Sequence, residues 1–127
     1  MNKLLTIIIP TYNERDNLPL LVEKIHAALS GYDYDILFID DNSHDGTAEL
    51  ASTLANKYPV RVIIRHRERG LASAIVLGLN HANSEVAAVM DADLQHPPEV
   101  LADMLKAMRA GTDLVIASRY VKGGGCE

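Results

Sequence analysis

The sequence predicts an α/β fold: a three-layer α/β/α domain built on a mostly parallel sheet. Three observations predict it. Short apolar runs alternate with amphipathic stretches along the whole chain, in the order β-α-β-α-β-α-β-α-β. The runs at 4–9 and 35–39 are almost continuously apolar, as strands covered on both faces are. Successive runs are separated by helix-forming stretches, and right-handed helical crossovers then set the strands parallel. No internal repeat or low-complexity linker interrupts the 127 residues, so 1–127 reads as a single domain.

The elements follow in order. "LLTIII" at 4–9 is the first strand. Helical spacing then places Leu18, Leu21, Val22, Ile25, Ala28 and Leu29 on one face, and Gly31 ends the helix. "DILFI" at 35–39 is the second strand. Asp45 stands where a carboxylate caps the helix predicted over 46–58, and Pro59 stops it. The third strand is "VRVII" at 60–64, followed by a helix over 71–82 and a fourth strand, "EVAAVM", at 85–90. Pro97 and Pro98 suit the start of a helix, where a missing N–H is harmless; this fourth helix runs over 99–111 and closes at Gly111. "DLVIAS" at 113–118 is the fifth strand.

Composition excludes several classes. Twelve Lys and Arg against 17 Asp and Glu leave a net charge of -5, without the basic excess that nucleic-acid phosphates require. The single Cys126 forms no internal disulfide and no Cys-ligated metal site, and it suits a reducing compartment. No run approaches the roughly 18 apolar residues of a membrane span. Residues 4–9 are too few for a secretory signal, and "PTYNERD" follows where a cleavage site would be small and neutral. Any membrane role is therefore peripheral or lies outside these residues.

In an open α/β sheet, ligands bind beyond the carboxyl ends of the strands. Four of the five predicted strands end in polar clusters: "PTYNE" at 10–14, "DDNSHDG" at 40–46, "DADLQ" at 91–95 and "SRY" at 118–120. In an extended segment Asp91, Asp93 and Gln95 share one side, giving three oxygens suited to a hard cation such as Mg²⁺ or Mn²⁺. The competing reading is an Asx turn ahead of the helix, but the two prolines already start that helix and leave the acids surplus to it. "DDNSHDGT" resembles a calcium loop only faintly, since its last position is Ser52 rather than Glu. Asp45 and Gly46 serve the cap and turn, which leaves Asp40 and Asp41 free to meet a ribose or base. No G-x-G-x-x-G follows the first strand and no P-loop is present, against a dinucleotide or Walker site. Tyr12 offers a ring either for base packing or for packing in the core or at its rim, and Glu14 a further acceptor. Arg65, Arg67 and Arg69 read more readily as a solvated basic face than as a diphosphate clamp, whereas Arg119 joins the acidic edge.

"IIIPTYNERDNLPLL", "ILFIDDNSHDGT", "RERGLASAIVLGL", "VMDADLQHPPE" and "VIASRY" together resemble family 2 glycosyltransferases of the GT-A fold, whose core is Rossmann-like. Within them the series is most similar to the group acting on dolichol phosphate and other polyprenol phosphates. The resemblance implies that Pro10, Tyr12, Glu14, Ile39 and Asp41 bind the nucleotide, and that Asp91, Ala92 and Asp93 bind the nucleotide sugar. It further implies that Asp91, Asp93 and Gln95 hold Mg²⁺ or Mn²⁺, and that Asp93 and Arg119 act at the transfer point. The implied reaction moves a sugar from a nucleotide sugar, with GDP-mannose favoured and UDP-glucose the competitor, to a polyprenyl phosphate. Direct attack by that anionic phosphate inverts the anomeric centre and needs no general base.

Members of the family are considerably longer than 127 residues. This chain is therefore expected to be a truncated donor-binding half that lacks the acceptor part, with transfer at the cytoplasmic face of a membrane. It is expected to bind nucleotide with metal but to transfer sugar poorly, and its fifth strand should be loosely held. Two alternatives stand beside this: a family 2 transferase with a polysaccharide acceptor, and a non-catalytic nucleotide-binding module.

Overall fold

Apolar side chains on both faces place the first strand at the centre of the fold. In β1 (Lys3–Thr11), Leu5, Ile7 and Ile9 are buried toward one helical layer and Ile8 toward the other. The computed structural model describes residues 3–67, 69–93, 101–109 and 114–116. β2 (Tyr34–Asp40) is buried along its whole length and flanks β1 on one side, with β3 (Val60–Ile64) beyond it. β4 (Ser84–Val89) flanks β1 on the other side, and β5 (Leu114–Ile116) pairs with β4. The order is β3-β2-β1-β4-β5, and every adjacent pair is parallel.

The helices form two unequal layers. α1 (Leu18–Ala28), α2 (Thr47–Leu54) and α4 (Leu101–Arg109) cover one face. There Leu21 and Ile25 of α1, Ala51 of α2, and Leu101 and Leu105 of α4 join Ile7, Ile36, Phe38 and Ala88 in the main cluster. α3 (Leu71–His81) covers the other face, where its Ala74 packs with Ile8, Leu37, Ile39 and Val89. α3 sits close to the sheet because Gly78 has no side chain: a Cβ there would lie 2.5 Å from Ile8 Cγ2. A polar bridge accompanies this layer. Buried Asp35 accepts the Thr6 hydroxyl at 2.6 Å and Arg61 Nε at 2.8 Å. Arg61 also donates to the His81 carbonyl at 3.2 Å, at the end of α3 where carbonyls lack helical partners.

Strand order and helix side together decide handedness. β1–α1–β2 and β2–α2–β3 step one way along the sheet over the α1 face. β3–α3–β4 returns over the opposite face, and so has the same hand. β4–α4–β5 continues in the return direction but passes over the α1 face, and so has the opposite hand. One hand throughout was the expectation from sequence. The difference follows from burial: Leu101 and Leu105 dock beside α1, against the larger of the two clusters.

The sheet reverses direction at β1 and β4, so the crevice beyond their carboxyl ends is the switch point at which open α/β sheets bind ligands. Among the described residues no helix is long and apolar enough to cross a membrane.

Candidate functional site

The loops that leave β1 and β2 are joined by hydrogen bonds. Asp40 is only 1% exposed and serves the turn rather than a ligand. It accepts the Thr11 hydroxyl at 2.7 Å, the Ser43 amide at 2.8 Å and the Ser43 hydroxyl at 2.6 Å. Ser43 Oγ in turn accepts the Asn13 amide at 2.8 Å, and Asn13 Oδ1 accepts the His44 amide at 3.0 Å. Asn13 and Asn42 take the left-handed backbone that asparagine tolerates, with φ of 54° and 59°. Thr47 Oγ1 accepts the Glu14 amide at 3.0 Å and donates to Asp45. Asp45 also accepts the amides of Thr47 and Arg15, at 3.0 and 3.2 Å. The expected cap at Asp45 thus acts from one residue outside the helix, since Gly46, with φ of 91°, occupies the N-cap itself. These bonds hold the Asp45 carboxyl below its usual range, with the Thr47 hydroxyl the main cause.

Asp41 faces the third strand end. Its carboxylate receives a two-pronged grip from Arg65, Nε to Oδ1 at 2.6 Å and Nη2 to Oδ2 at 2.9 Å. Arg65 is buried, so this is a desolvated pair and not the solvated basic face expected from sequence. Arg67 and Arg69 are exposed, and the Arg69 guanidinium stands 5.4 Å from the centroid of the Tyr12 ring. Tyr12 is 46% exposed, which removes core packing from the readings of its ring and places it at the rim, open to solvent.

β4 delivers the acidic pair. The strand stops at Val89, and Met90 continues its pairing by donating to the Ile8 carbonyl at 3.0 Å. Ala92 and Asp93 lie in a turn and not in the extended segment expected from sequence, because the strand has already stopped at Val89; Gln95 lies outside the described residues. Ala92 is buried in the main cluster, while Asp91 and Asp93 are half-buried. Glu14, half-buried at the end of β1, feels both of them. Its carboxyl is raised above the ordinary 4.5, first by burial and then by the charges of Asp93, Asp45 and Asp91, with the Asn17 hydrogen bond opposing. Those three carboxylates belong to the loops that follow the second and fourth strands, which reach the loop after β1. Among the described residues, no three His, Cys, Asp or Glu side chains converge as a metal cluster. A carboxylate pair nevertheless matches the way Mg²⁺ is usually held, by one or two carboxylates completed by substrate phosphate and water.

The structure brings Tyr12, Glu14, Asp41, Asp91 and Asp93 to one edge, with half-buried Pro10 at the end of the central strand. The side chains of Ile39 and Ala92 point into the two cores, so only their main chains are available to a ligand. Gln95, Pro97, Pro98, Arg119 and Cys126 lie outside the described residues. Arg65 is the residue that sequence reasoning misplaced. Its signal was present: Arg61, Ile63 and Arg65 keep the strand's period of two and so face inward toward α3.

The family model described as Glycosyl transferase family 2 matches residues 6–127. The chain belongs to glycosyl transferase family 2. Among family 2 relatives, a dolichol-phosphate mannosyltransferase of Pyrococcus furiosus is 52% identical over 96% of this chain and 35% of its own. A polyprenol monophosphomannose synthase of Mycolicibacterium smegmatis is 47% identical over 93% of this chain and 46% of its own. This chain therefore spans less than half the length of either. A mannosyltransferase from Pyrobaculum calidifontis, solved in complex with GDP-Man and Mn²⁺, superposes with a TM-score of 0.69 at 25% identity, over 86% of this chain and 32% of its own. The α/β GT-A fold expected from the family 2 motifs is the fold observed.

Proposed function

We propose that this chain binds a nucleotide sugar for transfer of a hexosyl group, mannosyl in the favoured case, to a polyprenyl phosphate. The observation that carries the reading is that Glu14 lies near Asp91 and Asp93 at the switch point of a family 2 domain, with Asp41 on the same edge of the sheet. The names of the Pyrococcus and Mycolicibacterium relatives support the mannosyl donor and the lipid acceptor. The complex of the Pyrobaculum enzyme supports GDP-mannose over UDP-glucose, and Mn²⁺ as one acceptable cation.

Residue roles follow from chemistry. Asp91 and Asp93 supply hard carboxylate oxygens, and Gln95 a third oxygen, for Mg²⁺ or Mn²⁺. When bound, the cation neutralises charge on the departing nucleoside diphosphate. Asp41 accepts a base N–H, and Tyr12 offers its exposed ring beside the base. Arg119 meets the phosphates or the acceptor, adding a fixed positive charge where negative charge develops. The acceptor phosphate is itself an anion, so its direct attack needs no base from the protein and inverts the anomeric configuration. With a polyprenyl acceptor, transfer takes place at a membrane surface, on the cytoplasmic side in this reading.

Thermal unfolding in the presence of GDP-mannose, GDP, UDP-glucose and UDP, each with and without Mn²⁺, tests the reading. A ligand at a hundredfold its Kd adds about 2.7 kcal/mol of stability. The expected result is a metal-dependent rise in Tm, larger for GDP-mannose, that Asp91→Asn and Asp93→Asn abolish. No rise with any ligand would refute nucleotide-sugar binding. Binding without mannosyl transfer to a polyprenyl phosphate, even from a chain of the relatives' full length, would refute the acceptor.

A further inference from the structure

We propose that Arg65 is a positioning residue for base recognition, holding Asp41 so that one acceptor site faces outward for a ring N–H. The inference rests on the nucleotide-sugar reading above.

The argument is a count of acceptor sites. A carboxylate offers about two acceptor directions on each oxygen. Asp41 Oδ2 receives Arg65 Nη2 at 2.9 Å and the Gly70 amide at 3.2 Å, which occupies both of its directions. Oδ1 receives Arg65 Nε at 2.6 Å and keeps one. Arg65 is itself anchored. Its Nη1 donates to Ser73 Oγ at 2.7 Å and its Nη2 to the Gly70 carbonyl at 2.9 Å, so the guanidinium is tied to the first turn of α3. The Arg65 side chain is 5% exposed and that of Asp41 16%, so Asp41 is the member of the pair that solvent reaches more readily.

Base choice then follows from which ring atom meets that site. Guanine N1 and uracil N3 carry a hydrogen and donate to it. Adenine N1 and cytosine N3 carry a lone pair there and are repelled. Arginine suits the task because its planar fork engages both carboxylate oxygens and its charge persists at every accessible pH; lysine has a single point charge and no fork. The same loop carries Arg69, whose guanidinium stands 5.4 Å from the centroid of the Tyr12 ring.

Calorimetric titration of GDP, UDP, ADP and CDP, each with Mn²⁺, into this 127-residue chain and its Arg65→Lys, Asp41→Asn and Ser73→Ala variants tests the proposal. The wild type should bind GDP and UDP about tenfold or more tighter than ADP and CDP, the scale on which a site built to receive a donor rejects an analogue lacking it. Arg65→Lys should erase that ratio by weakening GDP and UDP while changing ADP and CDP little. The Arg65→Lys/Asp41→Asn double variant should be no worse than Asp41→Asn alone, because both act through one carboxylate. Ser73→Ala, which frees one anchor of Arg65 without stranding a charge, should narrow the ratio and decides the matter if Arg65→Lys does not fold. Equal weakening of all four nucleotides, or an unchanged ratio in both Arg65→Lys and Ser73→Ala, overturns the proposal. Absence of any nucleotide binding by the wild type overturns the nucleotide-sugar reading itself, and this inference with it.

Discussion

Gly78→Ala is expected to destabilise the protein although alanine is the better helix former. On an isolated helix the change would gain about 1 kcal/mol. Here the new Cβ meets Ile8 Cγ2 at 2.5 Å, Cγ1 at 3.2 Å and Cδ1 at 3.3 Å. Carbon atoms pack best at about 3.5–4.0 Å, so the nearest contact must open by about 1 Å. Ile8 has nowhere to retreat, being fully buried among Leu37, Ile39, Ala74 and Val89. Overpacking of this kind costs about 1–3 kcal/mol, so the net change is a loss of up to about 2 kcal/mol. Urea unfolding followed by circular dichroism measures it, and a double-mutant cycle isolates the cause. In an Ile8→Ala background all three contacting atoms are gone, and Gly78→Ala should stabilise by about 1 kcal/mol. In an Ile8→Val background Cγ2 remains, and the penalty should persist. A stabilising Gly78→Ala in the wild-type protein, or equal effects in the two backgrounds, would refute the close approach of α3 to β1.

Three further outcomes are expected. Thr47→Ala removes the hydroxyl that accepts the Glu14 amide and donates to Asp45; the stranded amide costs about 1–3 kcal/mol, read as a lower urea midpoint. Glu14→Gln should raise Tm near neutral pH. A carboxyl whose folded pKa is raised contributes stability that is fully present below its unfolded value and is lost as pH rises through the folded one, so the advantage of the variant should vanish below about pH 4.5. Tyr34 is pushed up to about 12 by burial and by Tyr58, and its hydroxyl lies 2.7 Å from His26 Nδ1. Stability from the neutral phenol is therefore present below pH 10.0 and is lost through about 12. Ultraviolet titration should show one late-ionising tyrosine that Tyr34→Phe removes, and its persistence in the variant would count against the assignment.

The strands were legible because parallel strands buried on both faces need unbroken apolar runs, and 4–9 and 35–39 have no other plausible home. The acidic edge was legible for the same reason, since parallel strands deliver all their carboxyl ends to one side. What single-chain pattern could not reveal is what those ends do next. Asp40 and Asp41 are adjacent and chemically alike, yet one is sealed in a turn and the other faces Arg65. Only the strand alternation, combined with the position of α3, separates them. Arg65 was read as surface because it lies one residue past β3 in a run of arginines; the alternation turns it toward α3, but its partner, 24 residues earlier, is not visible in that local pattern. The side on which α4 packs was equally hidden, since an amphipathic helix shows that it has an apolar face and not which cluster receives it.

Register also carries a consequence for the order of assembly. β1 pairs with β2 across a short crossover, with Leu5 opposite Tyr34, but with β4 across most of the described chain, with Lys3 opposite Ser84. Closing the longer loop costs more chain entropy, and contacts between distant residues form slowly. The joined loops at 11–15 and 41–47 can therefore form while the third strand and helix are still unfolded. Glu14 would wait there, already oriented, and the repulsion from Asp91 and Asp93 would begin only when β4 docks. The seam between β1 and β4 would then be the last to close in folding and the first to open under stress, and native-state hydrogen exchange along β1 should show its β2-facing amides outlasting those that face β4.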